Sequence, residues 1–317
     1  MRTKDTTDPL TQRLRRLAQT SPALASTARM YEVVLPLLRD ADLDVAFIHF
    51  TPRQIQEKLQ QGIPLLMDVE LDIDVASARE LMLKLADALA GFGKKSSGFP
   101  FRLLWTRPVA DDHAEALKIK IAVEENTLDA GHLLSLIAAG EHDAVSAAAA
   151  GRGLDAGLVH ALARNTLKPA LRTWYRQLVP LANEVDWQSA VCFVCGAPAM
   201  LAELQGNGQA RHLRCGMCGS DWQVRRLQCA QCGNEDHRTL QNFMKDGEED
   251  RMRIEACDDC RVYIKVIASF LPTPFEELAV ADLETLHLDH AAQDLGYSRP
   301  SAFPARTVPA HRDSTDG

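Results

Sequence analysis

The chain has 317 residues, 46% of them apolar and 25% charged, and a formal net charge of −8. This is the balance of a globular protein long enough for about two domains and a sizeable core, and its acidic excess argues against a chain whose task is to coat nucleic acid or anionic membrane. No apolar run approaches the ~18 residues of a membrane span, and the start "MRTKDTTDPLTQRLRRL" has no apolar signal core, so the expected location is cytoplasmic.

Residues 1–24 are rich in charge and are expected to be flexible. Residues 25–186 read as an all-α domain, because apolar spacing is mostly three or four and strand-like alternation is scarce. "TPRQIQEKLQQG" opens with a capping box of Thr51 and Gln54, with Pro52 at the first helical position and Gly62 as a stop. Asp74 or Ser77 caps the next helix, which Gly91 should end. Further helical segments end at Gly140 and Gly151, and "LDAGLVHALARNTL" and "PALRTWYRQLVPLANEV" complete the run.

From about Trp187 the pattern changes to short β-like runs: "MLAELQ", "RHLRC", "DWQVRR", "TLQNFM", "MRIEAC" and "VYIKVIA". They flank cysteine pairs in an order that occurs twice, with equivalent pairs 37 and 42 residues apart, which marks an internal duplication. The expected units are residues 187–227 and 228–270, followed by a helix and an irregular tail over 271–317. The fold class is α+β multidomain: a helical domain, two tandem zinc-ribbon-like β modules and a C-terminal helix.

All eight cysteines fall between Cys192 and Cys260, in the pattern C-x2-C-x19-C-x2-C-x10-C-x2-C-x24-C-x2-C. A Cys-x-x-Cys turn aims two thiolates at one point, and two such turns facing each other make a tetrahedral four-sulfur site. Gly196, Gly219 and Gly233 follow three of the pairs, where the turn needs positive φ. Sequential pairing is simplest: Cys192, Cys195, Cys215 and Cys218 in one site, and Cys229, Cys232, Cys257 and Cys260 in the other. Crossed pairing, first with third, would break the repeat. Thioredoxin-like redox chemistry lacks a βαβ context around any pair. Coordination chemistry alone favours zinc in a structural four-thiolate site, with a single iron as the alternative.

The run "CFVCGAPAM…RHLRCGMCGSDWQVRRLQCAQCGN…IEACDDCRVYIKVI" and the later "ELAVADLETLHLDHAAQDLGYSRPSAFP" resemble the FdhE family, accessory proteins needed to produce active formate dehydrogenase. The resemblance covers roughly residues 165–305. Phe193 stands where the family usually has Pro. It implies two rubredoxin-like modules that bind iron, with the eight cysteines as ligands and no catalytic residue. It also implies contact with the catalytic subunit of a molybdenum-dependent formate dehydrogenase before that enzyme is complete. By resemblance, iron overtakes zinc.

Other residues carry two readings each. Trp222 and Tyr263 are lids over the metal sites or plain core aromatics. His212 and His237 are spare ligands or surface residues. Arg211, Arg214, Arg225 and Arg226 offset thiolate charge or solvate strands. "RLRRL" grips an acidic partner or is a wet helix face, and "DGEED" (246–250) is a solvated turn. Asp282, Glu284 and Asp289 suggest carboxylate chemistry but fit better as the wet side of a helix. The rival function is a nucleic-acid-binding zinc-ribbon protein. Against it, residues 192–232 set four Arg against Glu203 and Asp221, a net +2, while 233–265 set six Lys/Arg against nine Asp/Glu, a net −3, so no basic stripe runs through the region.

Overall fold

The charged start of the chain is more regular than its composition suggests. The structure, a computed structural model that describes residues 8–93, 112–182, 186–244, 247 and 251–300, places Pro9–Thr20 in helix α1. Pro9 stands in the first turn, where its missing N–H would have had no partner, and Leu14 and Leu17 are buried one turn apart. Arg13 of the "RLRRL" run reaches Glu277 at 2.9 Å and Glu284 at 2.5 Å. The expectation of flexibility over 1–24 is thus corrected from Pro9 onward: a two-leucine stripe buries the helix despite the charge around it. Residues 1–7, the "DGEED" run apart from Gly247, and residues 301–317 lie outside the described residues.

Helices α2 (Ala25–Asp40), α3 (Pro52–Gln60), α4 (Val75–Gly93), α5 (Asp112–Glu124), α6 (Ala130–Ala139), α7 (His142–Ala150) and α8 (Ala156–Leu178) build the helical body. The capping box forms: the Thr51 N–H donates to the Gln54 side chain at 2.8 Å, and the Gln54 N–H donates back to the Thr51 hydroxyl at 3.3 Å. Asp74 caps α4 by accepting from the N–H groups of Ala76 and Ser77 at 3.0 and 3.4 Å. That helix continues through Gly91 to Gly93. Gly140, at φ +75°, ends α6. The segments on either side of Pro169 merge into α8, so the proline removes one ladder bond without ending the helix. Trp174 of α8 is fully buried, and its indole N–H donates to the Ala46 carbonyl at 3.0 Å.

All six β-like runs become strands: β1 (Leu201–Gln205), β2 (Ala210–Arg214), β3 (Asp221–Gln223), β4 (Leu240–Phe243), β5 (Met252–Cys257) and β6 (Val262–Ser269). They form one sheet in the order β3-β2-β1-β6-β5-β4. Each repeat contributes its third, second and first strand in that order, so the duplication appears in space as a translation. Every neighbour is antiparallel except β1 and β6, which run parallel with Ala202 opposite Val266. The two units are therefore not beads on a string; a backbone ladder joins them.

The expected C-terminal helix is two helices, α9 (Phe275–Glu284) and α10 (Leu286–Asp294). Thr285 lies between them and turns its hydroxyl back to the Ala281 carbonyl at 2.8 Å. One continuous core runs from α1 through the helical body into the first β unit, where it takes in Cys192, Cys215, Cys218 and Trp222. The second unit has a separate, smaller cluster of Ile254, Ala256, Tyr263, Leu288, Ala292 and Tyr297 against α10.

Candidate metal centres

Each Cys-x-x-Cys turn closes by the same hydrogen bond. The N–H of the fifth residue donates to the carbonyl of the first cysteine: Gly196 to Cys192, Gly219 to Cys215, Gly233 to Cys229 and Arg261 to Cys257, all at 2.8–3.0 Å. That fifth residue has φ of +72°, +83°, +77° and +57° in turn. Glycine takes this conformation freely, whereas Arg261 pays for it locally. Its guanidinium donates to the Leu295 carbonyl at 2.6 Å and lies 4.0 Å from the Tyr297 ring centroid, which anchors the strained turn.

The turns bring the cysteines together in the sequential pairing. Cys192, Cys195, Cys215 and Cys218 form one cluster and Cys229, Cys232, Cys257 and Cys260 the other, with sulfurs in each within 4.8 Å of one another. Sulfurs of facing turns lie 3.5 Å (Cys192–Cys218), 3.6 Å (Cys195–Cys215) and 3.7 Å (Cys229–Cys260 and Cys232–Cys257) apart. A tetrahedral ion with metal–sulfur bonds of ~2.3 Å needs sulfurs ~3.8 Å apart, and a disulfide needs ~2.05 Å, so the spacing is that of a metal site and the cysteines here are unbridged. Each cluster can therefore hold one ion.

Crowding divides the thiols of each cluster into groups held low and groups held high: hydrogen bonds among the sulfurs push Cys195 and Cys260 up, and burial pushes Cys218 up. In the second cluster a hydrogen bond from Cys260 pulls the Cys229 thiol down to about 5, while burial pushes Cys232 up to about 11. In the first, burial opposes ionisation, yet hydrogen bonds from Cys192, Cys195 and Cys218 hold Cys215 well below its usual value. Four crowded thiols share their protons as one unit, and a bound cation would release them all.

Side chains that sequence reasoning did not single out touch the sulfurs. The buried Ser220 hydroxyl lies 2.8 Å from Cys192 Sγ, and Asn234 donates its amide to Cys257 Sγ at 3.5 Å. No spacing rule marks a lone serine or asparagine as a sulfur partner. Trp222 is buried in the core with the first cluster, meets Phe193 edge-on at 6.3 Å and donates its N–H to the Ser189 carbonyl at 3.0 Å, so its lid and core readings are one fact. Tyr263 instead packs with Leu288 and Tyr297 and donates to Asp289 at 2.6 Å. His212 pairs with Asp221, and His237 is exposed; neither joins a cluster.

The wet-side reading of Asp282 and Asp289 is corrected. Both are buried, facing Lys265 at 2.7 Å each, and Arg299 closes the group at 2.7 and 2.6 Å. Helical spacing placed these carboxylates opposite the leucines but did not reveal the sheet that covers them. Glu284 is the partner of Arg13. The arginines near the turns also have internal duties. Arg214 is buried against Glu203 at 2.5 Å, Arg211 against Glu255 at 2.8 Å, and Arg225 meets Glu235 at 3.4 Å. These pairs leave no continuous basic stripe for nucleic acid among the described residues.

Among known proteins, the family model described as FdhE, C-terminal domain, matches residues 227–304. The chain is 29% identical over 206 residues to an FdhE homolog of Edwardsiella ictaluri, covering 61% of this chain and 65% of that one. It is 31% identical over 123 residues to FdhE of Escherichia coli O127:H6, covering 38% and 39%. The matched stretches thus span less than two thirds of either relative. Among solved structures, the FdhE protein from Pseudomonas aeruginosa superposes with a TM-score of 0.56 over 92% of both chains, at 23% identity, which identifies the same fold. No helix among the described residues is long and apolar enough to cross a membrane.

Proposed function

This chain belongs to the FdhE family, and from that premise we propose that it is a cytoplasmic accessory protein for formate dehydrogenase maturation, which holds iron in its two four-cysteine sites and contacts the immature catalytic subunit of a molybdenum-dependent enzyme. The observation that carries the reading is the pair of clusters at tetrahedral sulfur spacing, fixed in one sheet that packs on a helical body. The protein is a binding factor rather than an enzyme. When bound, iron in such a site supplies one-electron chemistry or plain cross-linking. The chain's own residues fix the sulfurs by their backbone turns, screen the first cluster from water with Trp222 and Phe193, and hydrogen-bond Cys192 through Ser220.

The test is anaerobic purification of the full chain, measurement of iron, zinc and free thiols, and capture of a formate dehydrogenase catalytic subunit lacking its cofactor. The expected result is two metal ions per chain, iron among them, and capture that disappears when the sites are emptied. Capture by fully thiol-reduced, metal-free protein would overturn the metal's part in the reading. Tight nucleic-acid binding that falls steeply with salt would favour the zinc-ribbon alternative instead.

A further inference from the structure

We infer that the two centres divide their labour: the first is a closed site that fastens the sheet to the helical body, and the second is the exchangeable site, with Cys232 the sulfur that an arriving or departing ion meets first. This rests on the reading of both clusters as metal sites. Three independent observations separate them.

The first is burial. Cys192, Cys215 and Cys218 have 0% exposure and Cys195 is half-buried, whereas in the second cluster only Cys257 is buried, Cys229 and Cys260 are half-buried and Cys232 is exposed. The second is the packing around equivalent turns. A Cβ at Gly196 would meet Pro64 at 3.4 Å and one at Gly219 would meet the Phe275 ring at 2.8 Å; one at Gly233 would meet nothing within 4 Å. Loop 64–66 of the helical body also donates two backbone hydrogen bonds into the first turn, Leu65 to the Phe193 carbonyl at 2.8 Å and Leu66 to the Val194 carbonyl at 2.9 Å. Opening the first site therefore means parting the helical body from the sheet. The third is the space beside the sulfurs. A cavity of about 360 Å³ is bordered by Cys229 and Cys257, not by Cys232, and rimmed by the exposed Leu227 and Met244, room enough for a donor group to reach those two sulfurs' side of the ion once the outward-facing Cys232 has let go.

Exchange at the second site needs no oxidant. A donor from the exchanging ligand replaces the Cys232 thiolate on the ion, the freed thiolate takes a proton from water, and the ion keeps its charge throughout. The other three sulfurs then follow in turn. At the first site the same sequence waits on local unfolding, which is slower by the free energy of that opening.

The full chain, loaded with zinc, is mixed with excess chromophoric chelator, 4-(2-pyridylazo)resorcinol, and release is followed by absorbance. In parallel the zinc-loaded protein is treated with iodoacetamide and its peptides are weighed over time. Two phases of one ion each are expected, separated by about tenfold or more, with Cys232 alkylated before any of Cys192, Cys195, Cys215 and Cys218. Cys232→Ser, which lacks the sulfur that leaves first, should either fail to keep the second ion or release it faster still, and leave the slow phase unchanged. A single phase for both ions, a fast phase of unchanged rate and amplitude in Cys232→Ser, or early alkylation of a first-site cysteine would overturn the inference. Should Cys232→Ser misfold, the alkylation order of the unsubstituted protein decides. Failure to take up two zinc ions would remove the metal reading and this inference together, whereas failure to capture a client would leave it standing.

Discussion

Asp289→Ala isolates the buried ionic group that ties α10 to the sheet. Asp289 is 2% exposed and accepts four hydrogen bonds: from Tyr263 at 2.6 Å, from Lys265 at 2.7 Å, and from Arg299 at 2.7 and 2.6 Å. Its loss leaves Lys265, 1% exposed, and Arg299 facing the single carboxylate of Asp282. Removing one member of a buried ion pair costs ~3–5 kcal/mol, because the survivor is stranded away from water. The stranded Tyr263 hydroxyl adds ~1–3 kcal/mol in isolation, but the two effects share one cavity and do not sum. A loss of that size is a large part of a domain's ~5–15 kcal/mol. The chain has more than one unit, so residue-resolved hydrogen exchange suits it better than a single melting point. The expected result is loss of protection by ~3–5 kcal/mol in α10 and β6, with α2, α4 and α8 unchanged. Asp289→Asn, which keeps the shape, should lose less. A change below ~1 kcal/mol, the range of an exposed pair, would refute the reasoning.

The same group should respond to acid. Burial alone would raise the Asp282 carboxyl, but Lys265 and Arg299 override it and hold it below the usual carboxylate range. A carboxyl depressed in the native state adds stability that is complete above its unfolded value and is lost as pH falls from there through its lower native value, so protection of α9, which carries Asp282, should fade below pH ~4. Gly219→Ala should cost more than Gly233→Ala in urea titrations of the metal-loaded protein. Both carry the ~1–2 kcal/mol strain of a left-handed backbone, and only the first drives a Cβ into Phe275, adding ~1–3 kcal/mol. Stripping metal from both sites removes ~10–16 kcal/mol each; circular dichroism should then lose its sheet contribution while keeping most of its helical signal.

Much of this was legible in the residues because the signals were local. A capping box needs only Thr51 and Gln54, and a metal turn needs two cysteines and a residue that tolerates positive φ. The sequential pairing followed from the repeat, whose strands had to become hairpins between equivalent turns. What stayed hidden was set by distant neighbours. Nothing near Asp282 announces Lys265, which arrives from β6. Nothing near Arg13 announces Glu284, 271 residues away. The unequal burial of the clusters was invisible for the same reason: the spacing of the cysteines is nearly the same in both units, and the difference comes from loop 64–66 and Phe275.

The parallel ladder between β1 and β6 has a consequence for biogenesis. β1 leaves the ribosome some sixty residues ahead of β6, so the amino-proximal hairpin emerges with a bare flank able to zip onto any passing strand. Until translation reaches Ser269 that flank has no native mate. A clone ending after the first repeat would keep the vulnerability for good, and sticky, poorly behaved protein is what such a truncation should yield.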